Sequence, residues 1–198
     1  MKGFLFLILF TPILVHAQDS LLYNIFPIHN GKIRYEKIIH VDSVSKNDIY
    51  TRIKEWALEN YNSQKATKQE DDKDAGFLVY TGYFEKPFEG KMKRTSIIDD
   101  RQVWNTIKFY VKEGRVKIII DDIRIRSKVY AANVFTSLSS NIGDAWYIEK
   151  YESYYKDKNT SWVEQNKVYF NSLNKDFYNT LSNIASWLTT KKISESTF

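Results

Sequence analysis

The sequence predicts an α+β fold, in which helices pack on one face of a curled antiparallel sheet and a long helix closes the chain. Residues 102–112 and 115–126 alternate apolar and polar side chains on either side of Glu113-Gly114, which is typical of a β-hairpin. Residues 161–189 instead repeat large apolar side chains every three or four positions, which indicates an amphipathic helix. Because that apolar stripe must be buried, we expect the helix to cover one face of the sheet.

The first predicted strand runs from Lys32 to Val41, directly after the turn signal Asn30-Gly31. Side chains of alternate residues point to opposite faces of a strand. One face therefore carries Ile33, Tyr35, Lys37 and Ile39, and the other carries Ile38 and His40.

A helix is predicted to follow this strand and to end near Tyr61. Ser45 and Asp48 have the spacing of a capping box, in which the serine hydroxyl accepts a hydrogen bond from a free backbone N–H of the first turn. The stripe at helical spacing comprises Ile49, Ile53, Trp56, Ala57 and Asn60, and the residues predicted to lie away from it are Lys46, Arg52, Lys54 and Glu59. The stripe is expected to face the sheet.

The middle of the chain is predicted to be mostly strands. Residues 62–74 are almost wholly polar and are interpreted as a surface loop, whereas Gly76–Phe84 is rich in aromatic and β-branched residues and is predicted to be a strand. Lys86-Pro87 ends that strand because proline cannot donate to a ladder of hydrogen bonds. In the hairpin, Gly114 supplies the positive φ that the turn needs. A further strand is predicted over Trp146–Tyr151, after a long loop over Lys128–Asp144.

The last third of the chain is predicted to be the long amphipathic helix. Its apolar stripe consists of Phe170, Leu173, Phe177, Leu181, Ile184 and Leu188. Residues 190–198 are polar and are predicted to form a flexible tail.

Three segments of the sequence together resemble a known family. They are Gly31–Val41, then Ser45–Tyr50 leading to Trp56, and Phe109–Lys117. They resemble the domain of unknown function 4468 with a TATA-binding-protein-like fold, an exported family found mostly in Bacteroidota. The resemblance spans roughly Gly31 to Ile125, and it departs at Glu113-Gly114-Arg115-Val116, where the family often has Asp-Gly-Arg-Tyr. It implies a helix-backed antiparallel sheet and a location in the Gram-negative envelope, and it implies no activity and no catalytic residues.

The N-terminus has the pattern of an export signal. Lys2 precedes an apolar run from Gly3 to Val15, and Val15-His16-Ala17 fits the requirements of a signal peptidase. We therefore predict a signal peptide over residues 1–17, a mature protein that begins at Gln18, and a single domain over residues 18–189. The apolar run is shorter than a membrane span, which needs about 20 residues. The expected product is periplasmic or secreted, with no integral membrane span after cleavage.

Composition supports one globular domain and excludes several function classes. Hydrophobic residues make up 43% of the chain and aromatic residues 16%, which excludes a disordered chain. The absence of cysteine excludes disulfides, thiolate nucleophiles and cysteine metal sites. The net charge is +5, and basic residues alternate with acidic ones instead of clustering, unlike in a nucleic-acid binder. Because the protein is predicted to be exported, we expect no nucleic-acid partner.

Few residues are candidates for chemistry. His29 and His40 lack a second histidine at metal-ligand spacing. Asp99-Asp100 and Asp121-Asp122 are paired carboxylates, but adjacent strand residues point to opposite faces, so neither pair should line one site unless a bulge intervenes. No phosphate loop, nucleophile elbow or EF-hand spacing is present. We therefore expect no enzyme activity, no catalytic, cofactor-binding or metal-binding residues, and no cofactor.

The aromatic residues are candidates for packing or for binding an apolar or glycan ligand. Tyr147, Tyr151, Tyr154 and Tyr155 lie close together in sequence, and Trp104 and Tyr110 share a parity in one strand. Tyrosine is also common in half-buried positions of sheets.

Three functions are compatible with these features. The first is a non-catalytic envelope domain that binds a protein or a cell-surface polymer, which predicts an exposed apolar or aromatic patch. The second is a carrier of a small apolar or glycan ligand, which predicts an internal apolar cavity between the sheet and the C-terminal helix. The third is a carboxylate-dependent hydrolase, which needs Asp100 and Asp122 to converge in one cleft.

Overall fold

A computed structural model describes residues 22, 24–60, 66–92, 95–131, 141–142, 145–151 and 160–190 of the chain. The helices in this part are α1 (Lys46–Asn60) and α2 (Thr160–Thr190), with a 3-10 turn over Ile148–Lys150. The strands are β1 (Ile28–His29), β2 (Lys32–Ile33), β3 (Tyr35–His40), β4 (Ala66–Asp72), β5 (Phe77–Glu85), β6 (Phe88–Met92), β7 (Thr95–Asp99), β8 (Gln102–Lys112), β9 (Arg115–Arg126), β10 (Lys128–Ala131), β11 (Asn141–Ile142) and β12 (Trp146–Tyr147). The signal peptide, Tyr154, Tyr155 and tail residues 191–198 lie outside the described residues.

The main sheet has six strands, and its central strand is β8, between β5 and β9. β4 lies outside β5, while β9 pairs with β3 along its first half and with β12 near its end. A smaller sheet has the order β11-β10-β7-β6, and β1 pairs with β2 in a short ribbon. All of these pairings are antiparallel.

α1 and α2 pack on one face of the main sheet, and the core lies between them. The apolar stripe of α2 that the sequence predicted is buried throughout, with side chains at most 3% exposed. Its residues belong to one cluster with the inward side chains of β8 and β9, which are Val103, Ile107, Phe109, Val111, Val116, Ile118 and Ile120. The predicted α+β fold, with antiparallel sheets and a long C-terminal helix, is confirmed.

α1 begins as the capping pattern predicted. The Asp48 backbone N–H donates to Ser45 Oγ at 3.1 Å, and the Ser45 hydroxyl donates to Asp48 Oδ2 at 2.8 Å. The position predicted for Arg52, away from the stripe, is wrong because this side chain is buried. Its Nη1 donates to the Leu188 carbonyl at 2.6 Å, so it satisfies an otherwise unpaired carbonyl in the last turn of α2. The sequence of α1 alone does not contain this acceptor.

The β8–β9 hairpin forms at the predicted residues, with Gly114 at a φ of 64°. Lys112 pairs with Arg115 across the turn. Further along, Thr106 pairs with Asp121 but Trp104 pairs with Arg124, so β9 has one extra residue. Asp122, at a φ of 54°, lies in this stretch. This is a β-bulge, in which two residues of one strand oppose one of the other.

Two predicted loops contain strands. Part of the polar stretch 62–74 forms β4, which pairs with β5 over Ala66–Asp72, and part of Lys128–Asp144 forms β10 and β11. Both loop predictions are wrong there because pairing with a neighbouring strand supplies backbone hydrogen bonds that local polarity does not reveal. The strand predicted over Trp146–Tyr151 is only two residues long, and a 3-10 turn follows it. Strands β6 and β7 were not predicted.

A buried ion pair joins the smaller sheet to α2. Arg101 Nε donates to Asp99 Oδ2 at 2.7 Å, and both residues are less than 5% exposed. The guanidinium lies 4.1 Å from the centre of the Phe88 ring and 4.5 Å from that of Tyr169. These contacts place a cation between two aromatic faces, an arrangement that compensates the loss of water.

Candidate functional site

One face of the main sheet is not covered by α1 or α2, and we call it the open face. It consists of the side chains with the opposite parity to the core residues. On β3 they are Glu36, Ile38 and His40; on β5, Phe77, Val79, Thr81 and Tyr83; on β8, Trp104, Thr106, Lys108, Tyr110 and Lys112; on β9, Arg115, Lys117, Ile119 and Asp121. Directly paired residues share a face, so cross-strand partners form rows on it.

Two aromatic pairs lie on the open face. The rings of Phe77 and Tyr110 have centroids 4.8 Å apart, and those of Tyr83 and Trp104 are 4.7 Å apart. Each pair is a direct cross-strand pair of β5 and β8, and such pairs stabilise a sheet. The prediction that Trp104 and Tyr110 share a face is confirmed.

A groove with an apolar floor and a basic rim lies at the β3 side of the open face, and we call it the basic groove. Its volume is about 440 Å³. The floor is formed by Ile38, Tyr110 and Ile119, and the rim by Arg34, Lys112, Arg115 and Lys117. Ile38 is 55% exposed and Tyr110 is 41% exposed. Exposure of large apolar side chains beside charges is typical of an interaction surface.

Two of the four rim cations are ion-paired with one carboxylate. Glu36 contacts Lys117 at 2.6 Å and Arg34 at 3.2 Å. The hydrogen bond from Lys117 lowers the pKa of the Glu36 carboxyl, and nearby cations act in the same direction. Lys112 and Arg115 have no ion pair with any residue that the structure describes.

The bulge changes the placement of the predicted carboxylate pair. Asp121 and Asp122 both line a depression of about 910 Å³, together with Lys108 and Tyr147. This is the exception that the sequence argument allowed for, since a bulge breaks the alternation of faces. Asp121 contacts Lys108 at 2.8 Å and Asp122 contacts Arg124 at 3.2 Å. A hydrogen bond to Asp122 raises the pKa of the Tyr147 phenol.

The remaining candidates do not form one centre. His29 lines the same depression as Asp122, whereas Asp100 lines a different one beside Arg126. Asp99 is buried in its ion pair with Arg101. Asp100 and Asp122 therefore do not converge, and within the described ranges no group of three or more His, Asp or Glu side chains could hold a metal ion.

Tyr151 packs into the core and does not belong to a surface cluster. Its ring lies 5.8 Å from that of Phe170 in an edge-on contact. Tyr147 is 42% exposed beside Asp122. The two tyrosines have different environments, so their proximity in sequence does not produce a shared binding site.

A cleft of about 500 Å³ lies between the sheet, α1 and α2. Its lining is polar and apolar, and comprises Trp56, Asn60, Tyr83, Phe84, Glu85, Lys86, Asn105, Asp176, Phe177, Thr180 and Asn183. Asn105 is a buried polar residue in the otherwise apolar inward stripe of β8, and its cross-strand partner is Gly82. The cleft thus lies where Asn105 and Gly82 interrupt the apolar inward face of the sheet, and it is not the purely apolar cavity that the carrier hypothesis predicted.

Comparison with known proteins agrees with the fold. Residues 35–126 match the sequence model of a family described as a domain of unknown function (DUF4468) with TBP-like fold. We call residues 35–126, the stretch that matches this family model, the DUF4468 domain. All floor residues of the basic groove lie within this domain, as do Lys112, Arg115 and Lys117, and Arg34 directly precedes it.

Two crystal structures extend the likeness in fold beyond the DUF4468 domain. A TBP-like protein from Parabacteroides distasonis has a TM-score of 0.56 at 16% identity, covering 84% of this chain and 98% of that one. A DUF4468 family protein from Bacteroides ovatus has a TM-score of 0.53 at 16% identity, covering 87% and 96%. At this identity the likeness shows the fold alone. None of the curated proteins compared with this chain matches it.

Sequence reasoning missed the basic rim of the groove, because basic residues alternate with acidic ones along the chain instead of clustering. The hairpin register contained the signal, since Lys112 and Arg115 flank the predicted turn and must be neighbours. The sequence pattern also placed Ile38 on the same face of the strand as His40, which is a second signal of apolar surface beside polar residues. Neither of the described helices combines the length and apolar character needed to cross a bilayer.

Proposed function

We propose that this protein is an exported, non-catalytic binding module that acts through the open face of its DUF4468 domain. The observation that carries the proposal is the basic groove, where Ile38 and Tyr110 are exposed in the middle of charged side chains. Binding of a partner would remove the apolar surface of these two side chains from water, and this burial favours association. The partner is a protein or a cell-surface polymer.

The charges near the groove support binding in preference to catalysis. The carboxylates on or beside the open face, Glu36, Asp121 and Asp122, each lie within 3.3 Å of a basic side chain. For Glu36 the hydrogen bond from Lys117 lowers the pKa of the carboxyl, which makes it a poor proton donor near neutral pH. An orienting or anchoring role fits this geometry better.

Capture from the envelope of the host tests the binding module. The wild-type protein is compared with I38S/Y110S, which removes the two exposed side chains of the apolar floor, and with V168S, which removes an exposed apolar side chain on α2. Val168 is 71% exposed. We expect the wild type and V168S to retain the same envelope component and I38S/Y110S to lose it. Equal retention by all three proteins would contradict a role for the open face.

Cell fractionation tests export. We expect the protein in the periplasmic or secreted fraction, with an N-terminus at Gln18 because the small residue Ala17 occupies the cleavage position. The matched control is A17R, which places a large charged side chain at that position and should leave an uncleaved precursor. A protein from these fractions that begins at Met1 would contradict the predicted cleavage.

A second candidate function is a carrier of a small polar ligand, such as a glycan fragment, in the cleft between the sheet and α2. The observation in its favour is the set of polar side chains in the cleft lining, at a point where the core stripe is interrupted by Asn105. Amide side chains both donate and accept hydrogen bonds, as a hydroxylated ligand requires. Native mass spectrometry of protein from the host envelope tests it: a bound small molecule supports a carrier, and bare protein contradicts it.

A further inference from the structure

Cross-strand pairing places like charges side by side at one end of the basic groove. His40 pairs with Arg115, and Arg115 pairs with Lys112. Lysine and arginine side chains are cationic near neutral pH. Like charges directly opposite each other destabilise a sheet, so this row is not explained by stability of the fold.

The groove also carries an excess of positive charge. Its rim has four cations, namely Arg34, Lys112, Arg115 and Lys117, and the adjacent anion is Glu36. The excess is therefore three positive charges. Glu113, in the hairpin turn, is directed to α1, because its carboxylate accepts from the Lys46 backbone N–H at 3.0 Å. Opposite charge on a partner would both speed association and fix its position.

The row next to the charged one is largely apolar. Lys117 pairs with Ile38 on one side and with Tyr110 on the other. The two rows are two residues apart along each strand, or roughly 6.6 Å. Side chains i and i+2 of an extended polypeptide have the same separation. An extended segment with a carboxylate at one position and an apolar side chain two residues away therefore matches both rows.

The chemistry of the floor also favours a polypeptide. Ile38 and Ile119 are aliphatic, and Tyr110 is the single ring among the floor residues. Aliphatic side chains of a partner pack against such a surface, whereas a sugar ring would need broad aromatic faces. Resting on the function proposed above, we propose that the basic groove binds an acidic polypeptide segment of a partner protein, in which an Asp or Glu and an apolar residue lie two positions apart.

Selection from a random peptide library tests this ligand class directly. The library is displayed on phage and selected on the purified protein, with counter-selection on the charge-reversal variant K112E/R115E. We expect enriched sequences in which an acidic residue and an apolar residue lie two positions apart. Selection of basic or neutral sequences, or no enrichment over the variant, would overturn the proposal.

Titration of a selected peptide measures the contribution of the rim. Affinity is measured by fluorescence anisotropy for the wild type, for K112E/R115E, and for K167E/K175E, which makes the same change of net charge on α2. Lys167 and Lys175 are exposed. We expect K112E/R115E to bind about tenfold more weakly or worse, and K167E/K175E to bind like the wild type, because ion pairs act at close range in salt. Equal weakening by both variants would contradict a local site. Circular dichroism confirms that each variant is folded.

Competition with other polyanions distinguishes a polypeptide site from a general polyanion site. Polygalacturonate and single-stranded DNA are used as competitors at matched charge concentration. We expect both to displace the peptide weakly and only at low salt. Displacement by polygalacturonate or by DNA at physiological salt would show a general polyanion site and overturn the polypeptide assignment. Envelope capture that is lost in I38S/Y110S but retained in K112E/R115E would contradict the acidic ligand. The proposal of a binding module would still stand.

Discussion

Arg101 illustrates how one buried cation connects separate parts of the molecule. It joins Asp99 at the end of β7 to Asn166 and Tyr169 of α2, and it lies over the ring of Phe88. Its charge is far from water, so its stability depends on these partners. Losing one of them leaves an uncompensated charge in the interior.

Asp99→Asn is expected to lower the free energy of unfolding by roughly 3–5 kcal/mol, as for other broken buried ion pairs. Asp100→Asn is the matched control, because Asp100 directly follows Asp99 in the sequence but is exposed. This substitution should change the free energy of unfolding by less than about 0.5 kcal/mol. Urea denaturation measures both. Equal effects of the two variants would show that burial of the pair does not decide its contribution.

The pKa of Glu36 is a second test at the level of residues. The hydrogen bond from Lys117 holds this pKa below the ordinary value of a glutamate, so ionised Glu36 stabilises the folded state at pH above that ordinary value, and the stabilisation is lost as the pH falls through the lowered pKa. We expect Lys117→Gln to raise the pKa towards its ordinary value, as measured by NMR titration of the side-chain carboxyl. Lys167→Gln, on α2, is the control and should leave it unchanged.

At the scale of elements, the β8–β9 hairpin sets the register of the open face. Its turn fixes Lys112 opposite Arg115, and every row of the face follows from that pairing. The bulge at Asp122 then resets the register, so that Asp121 and Asp122 line the same depression. The hairpin therefore determines where charge and apolar surface meet.

Gly114→Ala is expected to destabilise the protein by about 1–2 kcal/mol, the cost of a left-handed backbone for a residue with a Cβ. The added Cβ would have space, since its nearest neighbour is the Val41 carbonyl oxygen at 4.0 Å, so the cost comes from the backbone alone. Gly114→Asn should cost less, because asparagine adopts this conformation more readily. Thermal unfolding compares the two, and a larger loss for asparagine would contradict the explanation.

For the whole molecule, the packing of α2 on the sheet supplies the core. Phe170 is fully buried and its ring contacts those of Phe26, Tyr151 and Tyr169 at 5.7–5.8 Å. Phe26 and Tyr151 lie far from Phe170 in sequence, so this ring connects the helix to the N-terminal segment and to the residue that follows the 3-10 turn. In the absence of cysteine, stability depends on such packing alone.

Phe170→Ala is expected to lower the free energy of unfolding by about 3–5 kcal/mol, from lost burial and the cavity left behind. The control Val168→Ala changes an exposed residue of the same helix and should stay within about 0.5 kcal/mol of the wild type. Denaturant titration gives both values. A small loss for Phe170→Ala would mean that α2 is not anchored through this stripe.

The sequence predicted the elements whose own pattern is strong. The α2 stripe, the Ser45 cap, and both arms of the hairpin are confirmed because their signals are local, being periodicity or a hydrogen bond within one turn. β4 was missed because its stability comes from pairing with β5 and its residues Glu70–Asp72 are charged. The buried position of Arg52 was missed because its acceptor lies on α2, 136 residues away.

The amino-acid sequence by itself determined the fold class, the paired strands around Glu113-Gly114 and the apolar stripe of α2, because those features depend on neighbours along the chain. Tertiary structure decided which charges meet beyond the hairpin turn. The convergence of Arg34, Lys112, Arg115 and Lys117 around Ile38 and Tyr110 requires three strands to pair in one register. The shared depression of Asp121 and Asp122 likewise requires a bulge. Both depend on contacts across the sheet, and electrostatic interactions at a few ångströms are set by that geometry and not by order along the chain.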